Sequence, residues 1–190
     1  MIIAIDPGVC FGRKKRGNLI DVDACACAAL TEDATLLGAW FDRYSGPRVH
    51  AFEQPNGQIV QITQVVIERP QYDKRSERAR IQDLIGLAWD GAIFAASFGA
   101  PVRWYTPNQW KQSEHKPSQH AALWATFTPE EKALFPADSF AIISDALERG
   151  ARSRWKPGTF DYPERFLTHN LLDAVALGRH HLGKGSRRPF

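Results

Sequence analysis

The stretch MIIAIDPG, residues 1–8, decides how the rest of the chain is read. An unbroken apolar run leads into Asp6, and a Pro-Gly pair then stops it. A continuous apolar run, unlike an alternating one, marks a short strand covered on both faces. Asp before Pro-Gly is a good turn former. The carboxylate therefore either punctuates the strand or is the group the strand exists to present.

Outward from this strand, NLIDVDACACAAL (residues 18–30) and ATLLGAWF (residues 34–41) flank the turn residues Thr31, Glu32 and Asp33 and read as a hairpin. The first three strands would then form an antiparallel meander. Cys25 and Cys27 sit two apart on one strand face, as small packing residues. Residues 42–62 are interrupted by Pro47, Pro55 and an Asn-Gly pair and give no clear element. TQVVIERP (residues 63–70) is a fourth strand, ending on Glu68 with Pro70 closing it.

Over residues 76–98, Ile81, Leu84, Ile85, Ala88, Ala92, Ile93 and Ala96 recur at three- and four-residue steps and predict a long amphipathic helix. PVRWYTP (residues 101–107) supplies a fifth strand, and from there the pattern is helical. KPSQHAALWATF comes first. Thr128-Pro129-Glu130-Glu131 then has the spacing of a capping box with proline at the first helical position. SFAIISDALERG ends on Gly150, a C-cap candidate. Residues 151–166 read as a loop, and HNLLDAVALGRHHLG (residues 169–183) is a last amphipathic helix. The order predicts an α/β protein of ribonuclease H-like layout, a mixed five-stranded sheet between helices.

In such a sheet the first and fourth strands are neighbours, so Asp6 and Glu68 would emerge side by side, and Asp173 would face them from the last helix. Each acid alone has an ordinary explanation as a turn former, a strand end or a macrodipole partner. Together, three converging carboxylates repel unless neutralised. Oxygen-preferring divalent cations do this, and Mg²⁺ keeps open positions for phosphate and water. Two such ions roughly 3.5–4 Å apart serve in-line displacement at phosphorus.

At 190 residues the chain is long enough for one full core, and one domain is expected over 1–190. Three cysteines, Cys10 included, fit neither structural zinc nor a disulfide framework. No apolar run approaches the ~20 residues of a membrane span, and the start lacks signal-peptide order. A cytoplasmic protein without membrane association is expected. The net charge of +3 is mild, but basic residues cluster in RKKR (13–16), DKRSERAR (73–80), RSRWK (152–156) and KGSRRPF (184–190), the last expected to be a mobile tail. Clusters of this kind suit a polyanion.

Four segments resemble the RuvC family of Holliday junction resolvases, in the ribonuclease H-like superfamily. They are IIAIDPG, VVIERPQ with LIGLAWDGAIFAA in the place of the family's long helix, YTPNQWK, and HNLLDAVALG, which follow the family's order across nearly the whole chain. The resemblance implies that Asp6, Glu68 and Asp173 hold two Mg²⁺ ions, with Mn²⁺ able to substitute. It also makes Lys111 a basic residue that contacts the DNA and steadies the phosphate charge, and implies hydrolysis to 5′-phosphate and 3′-hydroxyl ends in branched DNA. Arg75, Arg78, Arg80 and Lys116 are candidate DNA contacts. Two symmetric incisions need two active sites, so a C₂ homodimer is expected on geometric grounds as well as from the family.

The chain departs from the family in three places. Asn170 stands three residues before Asp173 where relatives carry Asp or His, and His169 precedes it. Either could complete the site, Asn170 as a neutral oxygen ligand, His169 as a ligand or proton-transfer group, or either could simply cap the helix. The segment between Lys111 and Lys116 is short, and residues 127–166 form an insert in which Trp155 lies among Arg152, Arg154 and Lys156. Compact size and this insert suit a phage or prophage version. Alternatives are a nuclease of the same fold acting on RNA, hybrids or flaps, and a catalytically silent nucleic-acid-binding protein. An actin-like ATPase, which shares an Asp-x-Gly opening, normally needs two lobes and a longer chain.

Overall fold

The computed structural model describes residues 1–7, 11–13, 19–21, 24–43, 51–53, 57–70, 81–111, 116–148 and 169–184. Its strands are β1 (Ile2–Asp6), β2 (Phe11–Arg13), β3 (Leu19–Asp21), β4 (Ala24–Leu30), β5 (Leu36–Arg43), β6 (Ala51–Glu53), β7 (Ile59–Gln61), β8 (Gln64–Glu68) and β9 (Val102–Tyr105). Its helices are α1 (Ile81–Ala96), α2 (Pro107–Trp110), α3 (Lys116–Ala125), α4 (Pro129–Ala133), α5 (Ala137–Glu148) and α6 (His169–His181).

The main sheet has five strands in the order β5-β4-β1-β8-β9. β1 pairs antiparallel with β4 and β4 antiparallel with β5, while β1–β8 and β8–β9 are parallel. This is the mixed five-stranded sheet, three antiparallel strands followed by parallel ones, that the sequence predicts. β1 lies at its centre, which is why its apolar run is continuous. Ile2 and Ala4 face one side with Val66, and Ile3 and Ile5 face the other with Val65 and Ile67. Fully burying each such aliphatic is worth about 1.5–3 kcal/mol.

The two faces carry different helices. Phe94, Ala95 and Phe98, on α1 and just past its end, cover Ile3, Ile5, Val65 and Ile67. On the opposite face, Leu171, Leu172, Val175 and Leu177 of α6 pack over Ile2, Ala4 and Leu30, joined by Leu123 and Trp124 of α3 and by Phe135 and Ile143. Close approach of α6 to the sheet depends on Gly178, where an added Cβ would lie 2.6 Å from Leu30 Cδ1 and 3.1 Å from Ala4 Cβ. Gly91 does the same for α1, since a Cβ there would sit 3.2 Å from Ile67 Cδ1 and 3.4 Å from Pro7 Cβ. Pro7, the residue after Asp6, is thus held against α1.

The capping box at Thr128 forms as expected, with Glu131 accepting the Thr128 N–H at 3.0 Å. Its buried carboxylate also accepts the Leu36 N–H at 2.9 Å and lies 3.5 Å from Arg179. The α4 cap therefore ties residues 128–133 to β5 and α6. The described part of the 127–166 segment, residues 127–148, contributes Phe127, Phe135 and Ile143 to the core beneath α6.

Several expectations are corrected. The single strand over residues 18–30 is two elements, with β3 pairing with β2 in a separate two-stranded sheet and only β4 entering the main one. Asp23, which falls between them, is a poor strand former. Residues 42–62 hold a small hairpin, β6–β7. The buried side of α1 is also not the expected stripe. Gly91, Phe94 and Ala95 face the sheet, whereas Ile85, Trp89 and Ile93 are 62%, 68% and 56% exposed. These three lie one turn apart and form an apolar ridge. Cys25 and Cys27 are buried same-face neighbours with sulfurs 3.6 Å apart, as expected of packing residues. No described helix is long and apolar enough to cross a membrane. Cys10, Gly150, the 151–166 loop and the tail at 185–190 lie outside the described residues.

Candidate active site

Strand parity sets the site. Asp6 is on the Ile2–Ala4 side of β1 and Glu68 on the Gln64–Val66 side of β8, and the parallel register pairs Ile2 with Gln64 and Ala4 with Val66. Both acids therefore project toward the α6 face from adjacent strand ends. Asp173 comes down onto the same face from α6, just past the first turn of the helix that starts at His169. Asp6 and Asp173 are both buried.

The three acids meet around Lys111. Its ammonium lies 2.8 Å from Glu68 Oε2 and 3.8 Å from Asp173 Oδ2. Burial lowers the pKa of this lysine, but Asp173, Asp6 and Glu68 outweigh it and raise the value well above the ordinary one. Lys111 is thus a charged group at any working pH, paired with Glu68 and Asp173 and attracted by Asp6. It is the C-cap residue of α2, a single turn that starts at Pro107 and is separated from β9 only by its N-cap Thr106. Pro at the first position sets the helical φ, and the Gln109 side chain accepts the Thr106 N–H at 2.7 Å.

Two further residues, which sequence reasoning missed, hold the acids. Trp110 is buried, and its indole N–H donates to Glu68 Oε2 at 2.8 Å. Lys111 lies over the same indole, 4.7 Å from the ring centroid. His120 of α3 is fully buried, with Nε2 2.7 Å from Asp173 Oδ1. Neither role has a sequence pattern, although the invariably polar tip of a core Trp or His asks for a partner wherever the residue is buried.

His169 and Asn170 occupy the first turn of α6 and are both buried. The His169 ring lies 6.2 Å from that of His120. Asn170 shares a helical face with Asp173, and its buried side-chain nitrogen has no hydrogen-bond partner among the described residues. Tyr105, from the YTP segment, is turned away from the acids. Its hydroxyl meets His181 Nδ1 at 2.8 Å, and His181 Nε2 meets Gln64 Oε1 at 2.9 Å, locking the end of α6 to the sheet. Burial, with Arg103 and His180 nearby, lowers the His181 pKa and favours the neutral ring that this relay uses.

The donor set fits a hard divalent cation in kind. It has three carboxylates against one ammonium, a formal surplus of negative charge, and a buried amide whose carbonyl and nitrogen exchange places by a simple flip. As the side chains stand, no group of three or more His, Cys, Asp or Glu among the described residues is spaced to hold a metal ion. Glu68 and Asp173 pair with the ammonium instead. Of the candidate DNA contacts, Arg75, Arg78 and Arg80 lie outside the described residues, and Lys116 is described only as the first residue of α3. Trp155 and its basic neighbours also lie outside them.

No family model and no curated protein matches the chain. Among solved structures it is similar to that of Thermus thermophilus RuvC, with 17% sequence identity over 96% of each chain and a TM-score of 0.35.

Proposed function

We propose that this protein is a divalent-metal-dependent, structure-selective DNA endonuclease that cuts branched DNA, four-way junctions above all, in recombination or repair. The observation that carries this reading is that Glu68 and Asp173, from far-separated parts of the chain, both pair with the half-buried Lys111 ammonium, which Asp6 also attracts. Two buried acids with a third, partly buried one beside them are costly to gather without a cation to hold. Asp6, Glu68 and Asp173 would bind two Mg²⁺ ions, or Mn²⁺ in their place, with Asn170 or His169 completing the set. When bound, such ions supply a nucleophile at neutral pH and stabilise the leaving oxygen of a phosphodiester.

The chain's own residues prepare that chemistry. β1 and β8 fix two acids on rigid adjacent strands, Trp110 orients Glu68, and the Lys111 ammonium supplies a permanent positive charge for the scissile phosphate. Arg75, Arg78, Arg80 and Lys116 are the proposed backbone contacts. The resemblance of the four motif segments to junction resolvases favours DNA over RNA, and implies 5′-phosphate and 3′-hydroxyl products. The deciding experiment offers a synthetic four-way junction beside matched linear duplex, RNA–DNA hybrid and flap. Symmetric Mg²⁺-dependent nicks confined to the junction are expected. Equal cutting of the hybrid or flap would transfer the reading to those substrates, and binding without cutting in Mg²⁺ and Mn²⁺ would make the protein a silent binder.

Symmetric nicking calls for a C₂ homodimer, and the exposed ridge Ile85–Trp89–Ile93 on α1 supports self-association, because apolar side chains in a row are rare on a solvated helix face. Trp89→Glu is expected to shift the protein from dimer to monomer in sedimentation and to abolish paired incision while leaving the fold intact. An unchanged dimer would place the contact elsewhere. A cytoplasmic setting and a phage or prophage source accord with this reading.

A further inference from the structure

We propose that His120 is a positioning residue that commits one oxygen of Asp173 to α3 and so turns the other toward the acidic cluster. The inference rests on the nuclease reading above and adds a residue that neither the motifs nor the spacing of the acids contains.

An aspartate carboxylate has a broad, two-fold side-chain torsion, so its two oxygens exchange readily unless something distinguishes them. In this protein something does. His120 Nε2 lies 2.7 Å from Asp173 Oδ1, while Asp173 Oδ2 faces Lys111 at 3.8 Å. His120 is 0% exposed and Asp173 1% exposed, so water does not compete for either oxygen. A hydrogen bond to a buried carboxylate is short and strong. The pair also joins helices far apart in sequence, fixing α3 to α6 at the level of the site. His120 is fully buried on α3, whose Leu123 and Trp124 belong to the same core as Leu171 and Leu172. His120 therefore cannot swing away without disturbing that core.

Partners that orient a ligating carboxylate typically matter by roughly 10–100-fold in metal affinity or activity when removed. The test compares His120→Phe, which keeps ring volume but loses the nitrogen, with His120→Gln and His120→Asn. The Gln amide nitrogen reaches the place of Nε2, whereas the Asn amide nitrogen reaches only the place of Nδ1. Three quantities are measured: Mn²⁺ binding to the DNA-free protein by electron paramagnetic resonance, the Mg²⁺ concentration that half-saturates junction cleavage, and the melting temperature in EDTA. His120→Phe is expected to weaken Mn²⁺ binding by about 10–100-fold and to raise the half-saturating Mg²⁺ by the same factor. His120→Gln is expected to recover most of the loss and His120→Asn little of it, without a matching split in melting temperature.

Equal Mn²⁺ binding by His120→Gln and His120→Asn overturns the inference, as does wild-type affinity in His120→Phe. Should His120→Phe fail to fold, the Gln/Asn comparison decides alone. Wild-type protein that neither binds Mn²⁺ nor cuts a junction removes the nuclease reading itself, and the inference with it. Wild type that does both, beside indifferent His120 variants, removes the inference only.

Discussion

Asp6→Asn is expected to abolish Mg²⁺-dependent junction cutting while leaving junction binding in place. The substitution keeps the size and shape of the side chain and removes one negative charge from a buried position at the end of β1. An amide fills the same space as the carboxylate, so the strand and its neighbours are expected to persist. What disappears is a third of the charge that gathers cations at the site. Removing a residue that merely orients a ligand already costs roughly 10–100-fold, and loss of a ligand itself is expected to exceed that. Binding of DNA rests on basic groups and phosphate contacts and is expected to hold or to tighten slightly, because a negative charge has been removed. The measurement is cleavage of a labelled four-way junction against gel-shift affinity for the same junction in Ca²⁺. Cutting at the wild-type rate by Asp6→Asn would remove Asp6 from the chemistry.

Lys111→Met is expected to lower the stability of the metal-free protein and to make added Mg²⁺ a larger stabiliser than it is in the wild type. The ammonium answers three acids at once, and methionine fills similar space with no charge. The loss is expected to fall between the roughly 1 kcal/mol of an exposed ion pair and the roughly 3–5 kcal/mol of breaking a buried one. The lower part of that range applies, because the lysine side chain is 29% exposed. Thermal melting in EDTA measures it, and repeating the melt with Mg²⁺ shows how much a divalent cation restores by binding the folded state. The pH dependence has a definite sign. A lysine whose folded pKa is raised contributes stability that is complete below the free-lysine value of about 10.4 and fades only as pH climbs through the folded value. The wild-type advantage is therefore level through neutral pH and shrinks in strong alkali. Identical melting in EDTA would mean that the ammonium is not the counter-ion of the cluster.

The acids were legible in the sequence because strand geometry is simple. A continuous apolar run implies a central strand, two such strands ending in acids imply parallel neighbours, and a period of two sends Asp6 and Glu68 to one face. Asp173 followed from an amphipathic helix with little choice but to cover the sheet. The supports were not legible. Trp110 and His120 are single residues whose partners lie 42 and 53 positions away, and no local pattern encodes such pairings. The orientation of α1 was misread for a different reason. IQDLIGLAWDGAIFAA is apolar around much of its circumference, so periodicity announces a helix without saying which side faces inward. Glycine decides it, since only Gly91 allows the approach to Ile67 and Pro7. Residues 42–62 concealed β6–β7 because three-residue strands are too short for any period to register.

The acidic cluster draws on positions spread from Asp6 to Asp173, and α6 bears the last of them. During synthesis the ribosome releases β1 and β8 long before α6 emerges, so a nascent chain carries the first two acids without the third. Ordering contacts of such long sequence separation is slow. In the proposed reading, a polypeptide released early or stalled upstream of residue 169 would have no competent nuclease centre, and the genome would be spared cutting by incomplete copies.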